Sequence, residues 1–278
     1  GGEIIMHVEQ HRINDLHCYR YKPKQADYAL VVSHGLGGHG GIYDIFGEHH
    51  ADKNCDIWSY SAPGHGQSRI NSPRGQWHMA DWAQASRDIA KHVKQETGQP
   101  VFLLGSSLGV GAAISAIDSD DIEGVICMGS AAIPGSDLLK GMGGFYRSDE
   151  VKQLIETLGR AAKLDIRTFF DFDTDYGWKG AQAQKELDSD NSWAYDLASW
   201  ASLFQYDPPV LPGDSDKPIY FTYGENDPMF PEGVIDMITP ALGPNAEVNC
   251  FKGASHQLML FHTADYSTAI DAWCRKQL

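Results

Sequence analysis

Ser107, Asp227 and His256 each stand just past an apolar run, in an order that could support nucleophilic acyl chemistry. A serine hydroxyl is a weak nucleophile until a base takes its proton, and an imidazole serves best when a carboxylate orients it. Gly105-Ser106-Ser107-Leu108-Gly109 fits G-x-S-x-G, a strand-to-helix turn so tight that its serine is strained and projects into a cleft. Taken alone, the pentapeptide also fits a Gly/Ser-rich turn in any α/β protein. The apolar Val101–Leu104 before it and the small-residue run after it favour the elbow. Ser106 fills an x position and points elsewhere. The amide of Leu108 falls at a helix N-terminus, where N–H groups are free to face an anion.

The rest of such a site can be read along the chain. His34-Gly-Leu36-Gly-Gly-His39-Gly-Gly41 follows a strand and precedes the elbow, the place from which a second oxyanion donor should come. Leu36 is that candidate. The loop does not match G-x-x-x-x-G-K-[ST], so a nucleotide cradle is disfavoured. Asp227 follows one late strand and His256 the next, giving the order Ser, acid, His. Glu225 is the rival acid, nearer the strand end. His65 could be a second catalytic histidine, but a glycine-flanked histidine in a turn reads as structural. His34 and His39 read as shaping the oxyanion loop. His49, His50, His78, His92 and His262 read as surface or packing residues. Asp171-x-Asp173-x-Asp175 is patterned like a calcium loop, yet Gly177 falls one position late and no closing glutamate follows. No metal and no cofactor are expected.

Positioning these groups takes a large α/β scaffold. The 278 residues are 42% apolar, enough for a sizeable core, and the net charge of −15 gives no footprint for nucleic acid or anionic membranes. Five scattered cysteines read as free thiols in a reducing, cytoplasmic setting. No run reaches transmembrane length, and no basic-then-apolar leader opens the chain.

Residues 3–10 and 16–22 read as a leading hairpin around Asn14-Asp15. Strands at 28–33, 56–61, 101–105 and 124–129 then alternate with helices at 43–53 and 78–97. From Ile133-Pro134 the alternation stops. Residues 133–210 show helix-like stretches (149–163, 180–188, 193–206), no strand pattern and many aromatics. Most of those aromatics should be core, and a minority should line a pocket. The doubly wound pattern resumes with strands at 217–223 and 247–251, and helices at about 231–242 and from about 263 onward. The expectation is a mostly parallel, doubly wound α/β core of residues 1–132 and 211–278, with 133–210 inserted as a helical lid.

With these pieces in order, the chain resembles an α/β-hydrolase of the monoacylglycerol lipase/lysophospholipase, or serine aminopeptidase-like, group. The resemblance rests on His34-Gly-Leu36-Gly-Gly with Tyr43, Pro63-Gly-His-Gly-Gln-Ser68, Pro73-Arg-Gly75, Val101–Gly109, Gly224-x-x-Asp227 and Ser255-His256. It runs from about residue 28 to residue 262 and leaves the lid unmatched by motif. Ser61 stands where the group usually has an aspartate, Ser106 replaces a common histidine, and Val110 displaces a glycine. The resemblance implies hydrolysis of a carboxylic ester, often a monoacylglycerol, without metal or cofactor.

The resulting expectation is a serine hydrolase cleaving an ester of a neutral, partly apolar substrate through an acyl-enzyme on Ser107. Asp227 and His256 complete its triad, and the Leu36 and Leu108 amides form its oxyanion hole. A lactonase, a C–C bond hydrolase, or a hydrolase-fold receptor with little turnover remain alternatives on the same residues. The expected partner is a small-molecule ester or lactone, with no nucleic acid and no integral membrane segment; a homodimer is allowed.

Overall fold

The computed structural model describes residues 7–69 and 72–278. Residues 3–6 of the expected first strand lie outside the described residues. In chain order the first half holds β1 (His7–Ile13), β2 (Leu16–Lys22), β3 (Tyr28–Ser33), α1 (Asp44–Ala51), β4 (Cys55–Tyr60) and α2 (Met79–Thr97). It continues with β5 (Val101–Ser106), α3 (Leu108–Ser115) and β6 (Gly124–Met128). After an inserted segment the chain returns with β9 (Ile219–Gly224), α9 (Val234–Ile238), β10 (Ala246–Phe251), α10 (Leu258–Phe261) and α11 (Thr263–Lys276).

Eight strands form one sheet in the order β1-β2-β4-β3-β5-β6-β9-β10. The β1/β2 and β2/β4 pairs are antiparallel and all others parallel. Every residue of β3, β4, β5 and β6 is buried. That is the signature of parallel strands covered on both faces, and it explains why they read as unbroken apolar runs. Within β5, Val101 and Leu103 join the core layer that holds Trp82, Ile89 and Val93 of α2. Phe102 and Leu104 face the opposite layer, with Phe46 of α1 and Ile270 and Trp273 of α11. The side-chain alternation of a strand thus splits one apolar run between two cores. At the carboxyl ends the register aligns Ser33 with Gly105, Ser106 with Met128 and Met128 with Thr222. The loops after these strands therefore open on one rim of the sheet.

Helix α2 ends where its sequence says it should. His78 caps its start by accepting from the Ala80 amide at 3.0 Å, and Gly98 closes it in the left-handed conformation at φ +66°. The late helix expected at 231–242 is shorter. α9 stops at Ile238 and a 3-10 turn carries Thr239–Leu242, because Pro240 cannot supply an interior helical N–H.

Between β6 and β9 the inserted segment carries α4 (Asp137–Tyr146), α5 (Asp149–Leu158), α6 (Phe172–Tyr176), α7 (Ala181–Glu186) and α8 (Leu197–Gln205). It also holds two strands absent from the sequence reading, β7 (Lys163–Asp165) and β8 (Ala194–Asp196), paired antiparallel. Three residues each are too few to show a period of two. Asp171 and Asp173, part of the calcium-like pattern, are engaged with backbone: Asp171 caps α6, and Asp173 accepts from the Gly180 and Gln182 amides at 3.1 and 2.8 Å. Among the described residues no helix is long and apolar enough to cross a membrane.

Candidate active site

Ser107 joins β5 to α3 with φ +53° and ψ −118°, a conformation that L residues avoid. The flanking glycines allow it. A Cβ on Gly105 would lie 2.5 Å from the Gly109 carbonyl oxygen, and one on Gly109 would lie 2.3 Å from that of His34. The turn is so compressed that only hydrogen atoms fit on both sides of the serine. Leu108 opens α3, whose first N–H groups have no partner within the helix. Ser106 is fully buried and does not line the cavity onto which Ser107 opens.

Asp227 and His256 come together because their loops are stitched side by side. The Glu225 amide donates to Phe251 O and the Asn226 amide to Ala254 O, both at 2.9 Å. Gly224 makes the approach possible, since a Cβ there would meet Ser255 O at 2.2 Å. Asp227 Oδ2 then lies 2.7 Å from His256 Nδ1, with the carboxylate side chain wholly buried and the imidazole 5% exposed. Asp227 Oδ1 accepts from the Met229 amide at 2.9 Å. Nδ1 faces a carboxylate and so carries the proton, leaving Nε2 as the acceptor. Glu225, the rival acid, is exposed.

The loop after β3 packs directly on the elbow, for a Cβ on Gly35 would lie 3.1 Å from Ser107 Cβ. Its shape is held by groups far away in sequence. The Gly37 amide donates to Tyr195 Oη at 2.7 Å, and Gly37 O accepts from the Ser192 amide at 2.8 Å. His39 Nε2 meets Asp188 Oδ2 at 2.7 Å. Gly37 sits at φ +66°, where a Cβ would strike Ser192 O at 2.4 Å. Ser61, the departure from the group's usual aspartate, accepts from the Gly40 amide at 2.9 Å.

Two histidines beneath this loop are locked in neutral form. His34 Nε2 accepts from the Ala62 amide at 3.0 Å, so Nδ1 must be the donor to Gly35 O at 2.9 Å. His65 Nδ1 donates to Pro63 O at 2.9 Å, leaving Nε2 to accept from the Tyr195 hydroxyl. A one-way relay results, from the Gly37 N–H through Tyr195 and His65 to Pro63. Burial drives both histidines down, His34 well below its ordinary value and His65 to about 4. His65 is thus a structural group, fully buried under Tyr195.

Ser107 and His256 line one cavity of about 20 Å³ with Leu36, Tyr43, Phe170, Phe172, Asp175, Tyr176, Lys185 and Gln257. Leu108 does not line it, so its part could only be played by its amide. Of the inserted segment's many aromatics, only Phe170, Phe172 and Tyr176 reach this cavity. Tyr195, Trp193 and Trp200 pack against the main core instead. Asp175 stood out only as part of the calcium-like pattern, and Lys185, Gln257 and the tethering Tyr195 were not singled out from the sequence. No local pattern marks them, because their role depends on contacts made across 130 to 158 residues in the case of Tyr195.

The architecture is that of an α/β-hydrolase. A carboxyl esterase from Bacillus coagulans superposes with a TM-score of 0.76 over 98% of this chain and 99% of its own, at 16% identity. A monoacylglycerol lipase from Paleococcus ferrophilus gives 0.69 over 94% and 99%, at 20% identity. Within that fold the chain belongs to the serine aminopeptidase S33 family, whose model matches residues 24–261. Human monoglyceride lipase is 35% identical over 104 residues, 36% of this chain and 33% of that protein. The monoglyceride lipase homolog of monkeypox virus is 36% identical over 107 residues, 36% of this chain and 37% of that protein. The match thus spans about a third of the length of these curated relatives.

Proposed function

We propose that this protein is a serine hydrolase that cleaves a carboxylic ester through an acyl-enzyme on Ser107. The observation that carries the reading is the buried Asp227–His256 pair bordering the same small cavity as a serine held at a strained elbow. His256 Nε2 takes the proton of Ser107 as Oγ attacks the acyl carbonyl. The Leu36 and Leu108 amides stabilise the oxyanion, each such donor being worth about 10²–10³ in rate. The imidazolium, held by Asp227, gives its proton to the departing alkoxide, and water then repeats the sequence to free the acid. The segment 133–210 acts as the lid over this chemistry, contributing three aromatic walls to the cavity.

Relatives named as monoglyceride lipases, and a structural neighbour named as a carboxyl esterase, favour an ester over the peptide bond of the family's title. At about 20 Å³ the cavity leaves little room beside Ser107, which favours short acyl groups over long ones. A series of p-nitrophenyl esters should therefore be cleaved with an optimum at short to medium chains. No cleavage of any chain length by the folded protein would end the ester reading.

Tyr195 is a positioning residue in this scheme. Tyr195→Phe leaves the buried Gly37 amide and His65 Nε2 unpaired, at a cost of about 1–3 kcal/mol in stability. It also frees the loop that carries the Leu36 amide. kcat should fall about tenfold, less than the about 10²–10³ that outright loss of an oxyanion donor costs, with KM little changed. A folded Tyr195→Phe protein with wild-type kcat would break the link between this tether and turnover.

A further inference from the structure

The one ammonium in the lining of the Ser107 cavity belongs to Lys185, and nothing in the reaction scheme uses it. Its backbone is fixed from both sides: Asp173 anchors the start of α7 through the Gly180 and Gln182 amides, and Lys185 O accepts from Asn191 Nδ2 at 2.9 Å. The side chain runs over aromatic faces, with Nζ 5.4 Å from the Phe172 ring centre and 6.0 Å from that of Trp193. Asp188, the acid whose charge acts on it, is taken by His39 at 2.7 Å, and among the described residues Lys185 makes no ion pair. Half-buried cations are normally paired directly, whereas this one has only the through-space attraction of Asp188, which also borders the outer groove and is shared with His39.

Lys185 also occupies a junction. It lines the Ser107 cavity and, with Ile42 and Tyr176, a wider outer groove that includes Trp178 and Phe261. A ligand reaching Ser107 from that groove passes the ammonium. Burial lowers the Lys185 pKa to about 8, which leaves it a cation at neutral pH. Asp175, the acid in the cavity lining, lies on the His256 side, where its carbonyl oxygen accepts from the His256 amide at 3.3 Å. Burial raises its carboxyl pKa above the ordinary value, while the nearby His256 opposes the shift. Gln257 borders the same space with a buried Oε1 that has no hydrogen-bond partner among the described residues. Since amide ends are interchangeable, it can turn a donor inward.

We propose that the substrate ester carries an anionic group, a carboxylate or a phosphate, that pairs with the Lys185 ammonium at the neck of the Ser107 cavity. This rests on the ester-hydrolase reading and narrows it, departing from the neutral substrate that the sequence suggested. The net charge of −15 governs approach from a distance, whereas Lys185 governs what is retained.

Two matched substrate pairs, each differing by one anionic group, test the assignment. In one, p-nitrophenyl butyrate is set against p-nitrophenyl monoglutarate, which carries a carboxylate on the acyl side. In the other, monobutyrylglycerol is set against its 3-phosphate, which is charged on the alcohol side. The wild-type protein should favour the anionic member of at least one pair in kcat/KM, and the pair that responds tells carboxylate from phosphate. In Lys185→Met, which keeps the stem over the rings, that anionic-to-neutral ratio should fall about 10- to 100-fold, the usual range for a charge-assisted contact. In Lys185→Arg it should persist. Preference for the neutral member in both pairs, or the same ratio in Lys185→Met, overturns the proposal. If no ester is cleaved, the ester reading has failed. Calorimetry with glutarate and with glycerol 3-phosphate, neither of which holds an ester or amide to cleave, then decides on Lys185 alone. Tighter binding of either by wild type than by Lys185→Met supports it, and equal or absent binding of both overturns it.

Discussion

Replacing Ser107 by alanine should lower ester turnover by about 10⁶-fold, the loss typical of removing the nucleophile from a serine–histidine–acid unit. The folded state should survive, because the side chain lost is small and sits at a cavity rim. The strained backbone at this position gives a sharper expectation. At φ +53° and ψ −118° Ser107 carries strain of about 1–3 kcal/mol. Glycine adopts that conformation freely but adds about 0.5–1 kcal/mol of unfolded-state entropy to be overcome. Ser107→Gly should therefore be inactive and yet about 1 kcal/mol more stable than the wild type, read as a higher urea midpoint. An inactive variant of this kind that is also less stable would mean that the elbow stores no strain. Appreciable turnover in either variant would remove Ser107 from the chemistry.

Acid should destabilise the protein steeply, starting near pH 6.5. His34, His50 and His65 are buried in neutral form, with His50 held at about 3 and His65 at about 4 by burial. Unfolded, each takes up a proton near pH 6.5, while in the folded chain His65 resists until about pH 4, His50 until about pH 3, and His34 until well below its ordinary value. Between those limits the unfolded state binds more protons, so stability is intact above pH 6.5 and is lost as pH falls. Each histidine contributes up to about 1.4 kcal/mol per pH unit. Three together approach about 4 kcal/mol per unit, against a total stability of about 5–15 kcal/mol for an ordinary domain. Urea midpoints at pH 7.5, 6 and 5 should drop accordingly, and His50→Gln should flatten the dependence by about one proton. His50 is a fair choice, since its ring bonds Tyr28 Oη and Ser267 Oγ at 2.8 and 2.7 Å, neither of which belongs to the loop after β3. A midpoint unchanged between pH 7.5 and 5 would mean that these histidines are not held neutral.

What the sequence revealed followed from interactions that are local or periodic. The four central strands were visible because burial on both faces makes them continuously apolar, and α2 because Trp82, Ile89 and Val93 recur on one face. Ser107, Asp227 and His256 could be nominated because each follows a strand end, where an open parallel sheet gathers its loops. The choice of Asp227 over Glu225 was harder from sequence. In the structure Asp227 is buried against His256 and Glu225 is exposed, a difference set by hydrogen bonds between two loops. The strands β7 and β8 were too short to leave a pattern. Lys185 and Tyr195 stayed hidden for a deeper reason. A lysine near acidic residues reads as solvated surface, and a tyrosine among many aromatics reads as filler, until packing shows what each faces.

The relay through Gly37, Tyr195 and His65 also bears on the order in which the molecule takes shape. Gly37 and His65 belong to the early strands and could be laid down together, but the hydroxyl between them arrives 158 residues after Gly37. Closing so long a loop is entropically slow and is rewarded only once the intervening elements have docked. A nascent chain could therefore build β1 through β6 around a sound core while the loop over Ser107 stayed untethered. The Asp227 and His256 side chains emerge later still. Six of the eight strands thus precede Tyr195, Asp227 and His256, so on the proposed reading a half-made chain carries Ser107 without the groups that would activate it.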